Sequence, residues 1–126
     1  MNKQITITGT ILILLSIILG AMAAHSLEKT VSAELIATFE KGVKYQMYIG
    51  LGLLVVGLNA THLKFKLNGF FWFNLIGILL FSGGIYTYTF HEMTPGLTNF
   101  VHIVPFGGTA MIIGWVLLLI KLIKTQ

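Results

Sequence analysis

Four apolar stretches, Ile5–Ala24, Val43–Thr61, Phe70–Phe90 and Val101–Ile120, take up most of this 126-residue chain. An α-helix rises about 1.5 Å per residue and the hydrocarbon core of a bilayer is about 30 Å thick, so roughly 20 apolar residues cross it. The pattern predicts an all-α membrane protein. We expect one membrane domain, residues 1–126, built as an antiparallel bundle of four transmembrane helices. Only 10% of the residues are charged, against about 25% in water-soluble domains. What the spans leave makes short connections and tails, too little for a soluble catalytic domain.

Lys3, then Ile5–Leu19, then Ala21-Met22-Ala23 imitate the three parts of a secretory signal peptide. Because the chain begins at Met1, the segment is expected to be retained as the first span. Charge then sets the orientation. The N-terminus, the second connection and the C-terminus share a side bearing Lys3, Lys64, Lys66, Lys121 and Lys124, with no acid. The other side bears Lys29, Lys41 and Lys44 with Glu28, Glu34, Glu40 and Glu92. Five lysines against three predict cytoplasmic termini. Trp72 and Trp115 then fall near the cytoplasmic interface, which favours indole rings.

The first outer connection carries helical periodicity of its own. Leu35, Ile36, Phe39 and Val43 share one face; Glu34, Thr38, Lys41 and Lys44 share the other. Ser32 suits an N-cap, and Glu34 suits the first turn. We expect a short amphipathic helix lying in the outer interface between spans 1 and 2, the alternative being one long, tilted second helix.

Lipid tails are as apolar as leucine, so burial of apolar surface does not draw these helices together; small residues that admit close backbone approach do. Gly50 and Gly57, Gly77 and Gly84, and Gly107 and Gly114 are each seven residues apart, and Gly9 and Ser16 repeat the interval. Seven residues is two turns, so each pair lies along one face. Ser16, Gly20 and Ala24 add a small-residue ladder to the first span. Pro105, followed by Gly107 and Gly108, either opens the fourth helix at its first turn or kinks a longer one; the first is expected.

Chemistry-bearing groups are few. There is no Asp, Arg or Cys, which removes thiolate chemistry and leaves the redox compartment undefined. His25, His91, Glu92 and His102 share the outer end and are weak metal candidates, without ligand spacing to support a site. No carboxylate lies deep in a span, which argues against a proton-coupled pump, and no nucleophile has an evident base. No metal and no cofactor are expected. Lysines that flank spans, with no single basic stripe, argue against nucleic-acid binding.

Gly20-Ala21-Met22-Ala23-Ala24-His25, Gly42-Val43-Lys44-Tyr45-Gln46, Phe81-Ser82-Gly83-Gly84-Ile85-Tyr86, and Pro105-Phe106-Gly107-Gly108 with Gly114-Trp115 occur in that order. The chain thereby resembles the small membrane-protein family catalogued as domain of unknown function 423. The resemblance implies a bacterial cytoplasmic-membrane protein of four spans and supplies no activity. It departs from the family pattern at Ala23, where glycine is usual, and at Ile49, where a histidine is usual. The motif-matched polar or amphipathic positions are His25, Tyr45, Gln46, Ser82, Tyr86 and Trp115. We expect them to form an internal hydrogen-bond network.

The resulting expectation is a non-catalytic accessory or scaffold bundle whose partners are membrane lipids and further copies of itself. The alternative is a permease or channel for a small solute or ion, with a membrane-embedded enzyme behind it.

Overall fold

The computed structural model describes residues 1–125, and among these there is no strand. Four long helices follow in order: α1 (Lys3–His25), α2 (Ala33–Leu58), α3 (Asn68–Thr89) and α4 (Val104–Lys124). Single 3-10 turns at Leu27–Lys29 and Ala60–His62 make the first two connections, and a longer 3-10 stretch, Pro95–Ile103, leads into α4.

Local chemistry sets the helix starts. The Asn2 side chain accepts the Ile5 N–H at 3.1 Å and caps α1. Ser32 caps α2 by accepting the Leu35 N–H at 3.4 Å, with Glu34 in the first turn. Pro105 stands in the first turn of α4, where its missing N–H would have had no intrahelical partner. The proline therefore opens that helix and does not kink it.

One expectation is corrected. Residues 32–44 do not form a separate interfacial helix, because α2 runs unbroken from Ala33 to Leu58. The amphipathic pattern is present, but it clothes the first turns of one helix. Leu35 and Phe39 are buried on one side while Glu34, Glu40, Lys41 and Lys44 are exposed on the other. With Ala23, Leu27 and Val31 they form a small core that joins the end of α1, the first connection and the start of α2. Nothing between Glu34 and Lys44 breaks the helix, since Gly42 packs against a neighbour and no proline intervenes.

Three helical segments are long and apolar enough to cross a membrane: Lys3–Lys29, Asn68–Thr89 and Pro95–Lys124. α2 is not among them, as its first half carries Glu34, Glu40, Lys41 and Lys44. Large apolar side chains face outward along α1 and α4, including Ile7, Ile11, Leu14, Ile17, Ile112, Val116, Leu119 and Ile123. In water such a surface would be prohibitive; against lipid it costs nothing.

The principal packing runs α1 on α2, α2 on α3 and α3 on α4. A methyl group on Gly9 would lie 2.7 Å from the Gly50 carbonyl oxygen and 2.6 Å from the Leu54 nitrogen. On Gly77 it would lie 2.8 Å from the Gly107 carbonyl, and on Gly107 it would strike the Phe81 nitrogen. Gly57 meets the Thr6 backbone, Gly114 meets Asn74, and Gly84 meets Val104 and Ile103. Gly20 is different: its nearest neighbour is Val43, at an ordinary 3.6 Å.

Gly9→Ala should therefore lower stability by about 1–3 kcal/mol, the usual cost of overpacking, whereas Gly83→Ala, with no atom within 4 Å, should be neutral or slightly stabilising. Helical circular dichroism during SDS titration from mild detergent checks this. Equal midpoints for Gly9→Ala and wild type would contradict the close approach.

Candidate functional site

Two pairs of residues, each one helical turn apart, meet where α2 crosses α3. Gly42 and Gln46 belong to α2; Ser82 and Tyr86 belong to α3. Ser82 Oγ donates to the Gly42 carbonyl at 2.6 Å, and the Tyr86 hydroxyl donates to Gln46 Oε1 at 2.7 Å. The absence of a side chain at Gly42 lets the Tyr86 ring lie across α2, because a methyl there would be 2.9 Å from Tyr86 Cε1. Phe39 covers the same ring, centroid to centroid at 4.8 Å.

The network continues into α1. Gln46 Nε2 donates to the Leu12 carbonyl at 3.0 Å, and the same oxygen accepts Ser16 Oγ at 2.8 Å. Three helices are thus joined by side-chain bonds near one level. Ser16, Gln46 and Ser82 are buried, and a buried amide or hydroxyl without a partner would cost more than each bond yields.

Two cavities flank this junction. A cleft of about 220 Å³ lies between α1 and α3, walled by Leu12, Leu15, Leu19, Ile78 and Leu79, with Gln46, Ser82 and Tyr86 behind. A groove of about 600 Å³ lies between α2 and α4, lined by Tyr45, Tyr48, Phe81, Met111 and Trp115. Trp115 rests on Gly52 and meets the Phe70 ring edge-on at 4.9 Å. Tyr45 meets Phe81 edge-on at 5.1 Å.

The expected six-residue network is accordingly divided. Gln46, Ser82 and Tyr86 are joined, Tyr45 and Trp115 belong to the groove, and His25 is exposed at the end of α1. The weak metal candidates do not converge: among the described residues no group of three or more metal-binding side chains forms. His91 instead stacks on Tyr88 at 4.2 Å, with Nδ1 2.7 Å from the Tyr88 carbonyl.

The expected network left out three participants, the Ser16 hydroxyl and the carbonyls of Leu12 and Gly42. The signal for Gly42 was the matching four-residue spacing of 42/46 and 82/86; a backbone acceptor in mid-helix, such as Leu12, leaves no sequence trace. Asn74 is also fully buried, its Nδ2 donating to the Phe70 carbonyl at 2.8 Å and its Oδ1 having no partner among the described residues.

The family model described as "Protein of unknown function (DUF423)" matches residues 19–108, which include every member of the junction from α2 and α3. The chain belongs to this family. Its relatives include the UPF0382 membrane protein of Staphylococcus saprophyticus, 34% identical over 97% of this chain and 98% of the relative. UPF0382 membrane protein YwdK of Bacillus subtilis is 34% identical over 97% of this chain and 98% of its own length. A Haemophilus influenzae UPF0382 membrane protein is 40% identical over 78% of this chain and 76% of its own. No solved structure matches. The protein is thus a membrane protein of an uncharacterised family, and the family assigns it no activity.

If the Tyr86–Gln46 bond couples α2 to α3, Tyr86→Phe and Gln46→Leu should each cost about 1 kcal/mol. The double variant should cost about 0.6 kcal/mol less than their sum. A double-mutant cycle on the SDS unfolding midpoint measures it, and additivity within about 0.3 kcal/mol would remove the bond from the account.

Proposed function

We propose that this chain is a four-span, antiparallel bundle of the bacterial cytoplasmic membrane, with both termini in the cytoplasm, and that it serves as a non-catalytic scaffold or accessory module. The observation that carries the reading is the use made of the interior polar groups. Gln46, Ser82 and Tyr86 spend their hydrogen bonds on one another and on the backbones of neighbouring helices, tying helices together, and Ser16 donates to Leu12 within its own helix. Asn74, Thr87 and Thr89 each donate to the carbonyl four residues back. Side chains committed in this way stiffen a bundle; they do not offer a ladder of exchangeable sites.

The four-span reading draws support from helix α2 itself. Although Lys41 and Lys44 shorten its apolar run, Gly50 and Gly57 seat it against α1, and Gly42 seats it against α3. Its lysines reach the outer headgroups by snorkelling. The pairings Thr6 with Gly57, Gly9 with Gly50 and Leu12 with Gln46 fit a neighbour running the opposite way.

Against a permease, the cleft beside the junction is walled mainly by leucine and isoleucine, and the α2–α4 groove by aromatic and aliphatic side chains. Against an enzyme, His25 stands exposed at a helix end and lines neither cavity. Self-association finds its support in small residues the bundle leaves open. Gly83 has no neighbour within 4 Å, and Gly20 only a loose one.

The chain contains no cysteine, so single-cysteine probes report cleanly. A cysteine at Thr125 should be shielded from a membrane-impermeant maleimide in intact cells, and one at Thr98 should be labelled. Native mass spectrometry from lipid nanodiscs should show a dimer or higher species. Labelling at Thr125 from outside would reverse the topology, and a strictly monomeric mass would end the self-association reading.

A further inference from the structure

The end of the molecule where α1 begins and α4 finishes gathers lysines without any acidic side chain among the described residues. Lys64 and Lys66 stand on the connection between α2 and α3, Lys121 and Lys124 in the last turn of α4, and Lys3 at the start of α1. The Asn2 N–H donates to the Gly57 carbonyl at 2.8 Å and holds the start of α1 against the end of α2. Lys121 Nζ donates to the Lys66 carbonyl, and the same ammonium lies 5.8 Å from the centre of the Phe65 ring. The tail of α4 is therefore folded onto the α2–α3 connection, and lysines 55 residues apart in sequence become neighbours. No acid lies in any of these segments, as Glu28, Glu34, Glu40 and Glu92 all belong to the other two connections or the start of α2.

We propose that this basic rim, centred on Lys64, Lys66 and Lys121, binds the phosphate of an anionic phospholipid. The inference rests on the topology proposed above, which puts the rim at the cytoplasmic leaflet. Charge complementarity identifies an anion, since lysines gathered at one end of the bundle with no acidic side chain in the same segments favour a counter-charge from outside the chain. The flank identifies a lipid. Ile120, Leu122 and Ile123 are 42%, 46% and 72% exposed beside Lys121 and Lys124. They offer acyl chains an apolar surface interleaved with the charge, whereas a free anion would have no use for it. Lysines at such a rim bind anionic headgroups with roughly fivefold gain apiece, and a phosphate accepts from several ammonium groups at once.

The test uses the full chain in nanodiscs of equal phosphatidylglycerol and phosphatidylcholine with matched acyl chains, counting retained lipid by native mass spectrometry. Wild type should keep phosphatidylglycerol in preference. Lys66→Gln with Lys121→Gln should weaken that preference roughly 25-fold, while Lys29→Gln with Lys41→Gln, at the other end, should leave it intact. Lys64→Gln alone, which removes an exposed side chain, should cost roughly fivefold and serves if the double variant fails to fold. Equal retention of the two lipids by wild type would overturn the proposal, as would equal loss in the two double variants. Release of the bound species by millimolar inorganic phosphate at constant ionic strength would reassign the site to a free anion and overturn it too. The cysteine probe at Thr125 keeps the two readings apart. External labelling with the lipid preference intact would overturn only the assignment to the cytoplasmic leaflet.

Discussion

The contact on which the rest of this structure depends is backbone against backbone at paired glycines. Lipid gives two helices no reward for hiding apolar surface, so association has to come from dispersion, weak carbon-donor contacts and hydrogen bonds at short range. Gly9 against Gly50 and Gly77 against Gly107 supply that range, since a single methyl at any of these positions would lie within 3.0 Å of a neighbouring backbone atom. Two hairpin-like pairs, α1 with α2 and α3 with α4, are set by these approaches.

The polar junction completes what the glycines begin. Where α2 meets α3, Gly42 supplies both a gap for the Tyr86 ring and a carbonyl for Ser82, and Gln46 then reaches from Tyr86 to α1. One glutamine connects three helices. Sliding α2 by a turn would leave the Gln46 amide and the Ser82 hydroxyl unpaired in a dry interior, so the junction fixes register as well as adding affinity.

Much of this was legible in the chain. The spacing of Gly50/Gly57, Gly77/Gly84 and Gly107/Gly114 marked faces that do meet a partner helix, because two-turn periodicity is a property of the helix alone. Ser32 and Pro105 marked helix starts for equally local reasons. The failures were of another kind. Periodicity at residues 35–43 reads the same whether the helix lies flat or continues upright, and only packing of Leu35 and Phe39 onto Leu27 and Val31 decides it. Tyr45 and Gln46 are adjacent in one motif, yet 100° of helix rotation sends one to the groove and the other to the junction. His25, Glu92 and His102 share an end without sharing a site, a matter of lateral position that topology alone does not encode.

The central claim concerns backbones in contact within a bilayer, and carbon–carbon correlation by solid-state NMR on the full chain in lipid reads it directly. The account predicts through-space cross-peaks joining the Gly9 and Gly50 carbons and the Gly77 and Gly107 carbons. A spectrum showing the helices intact but both correlations missing would contradict it.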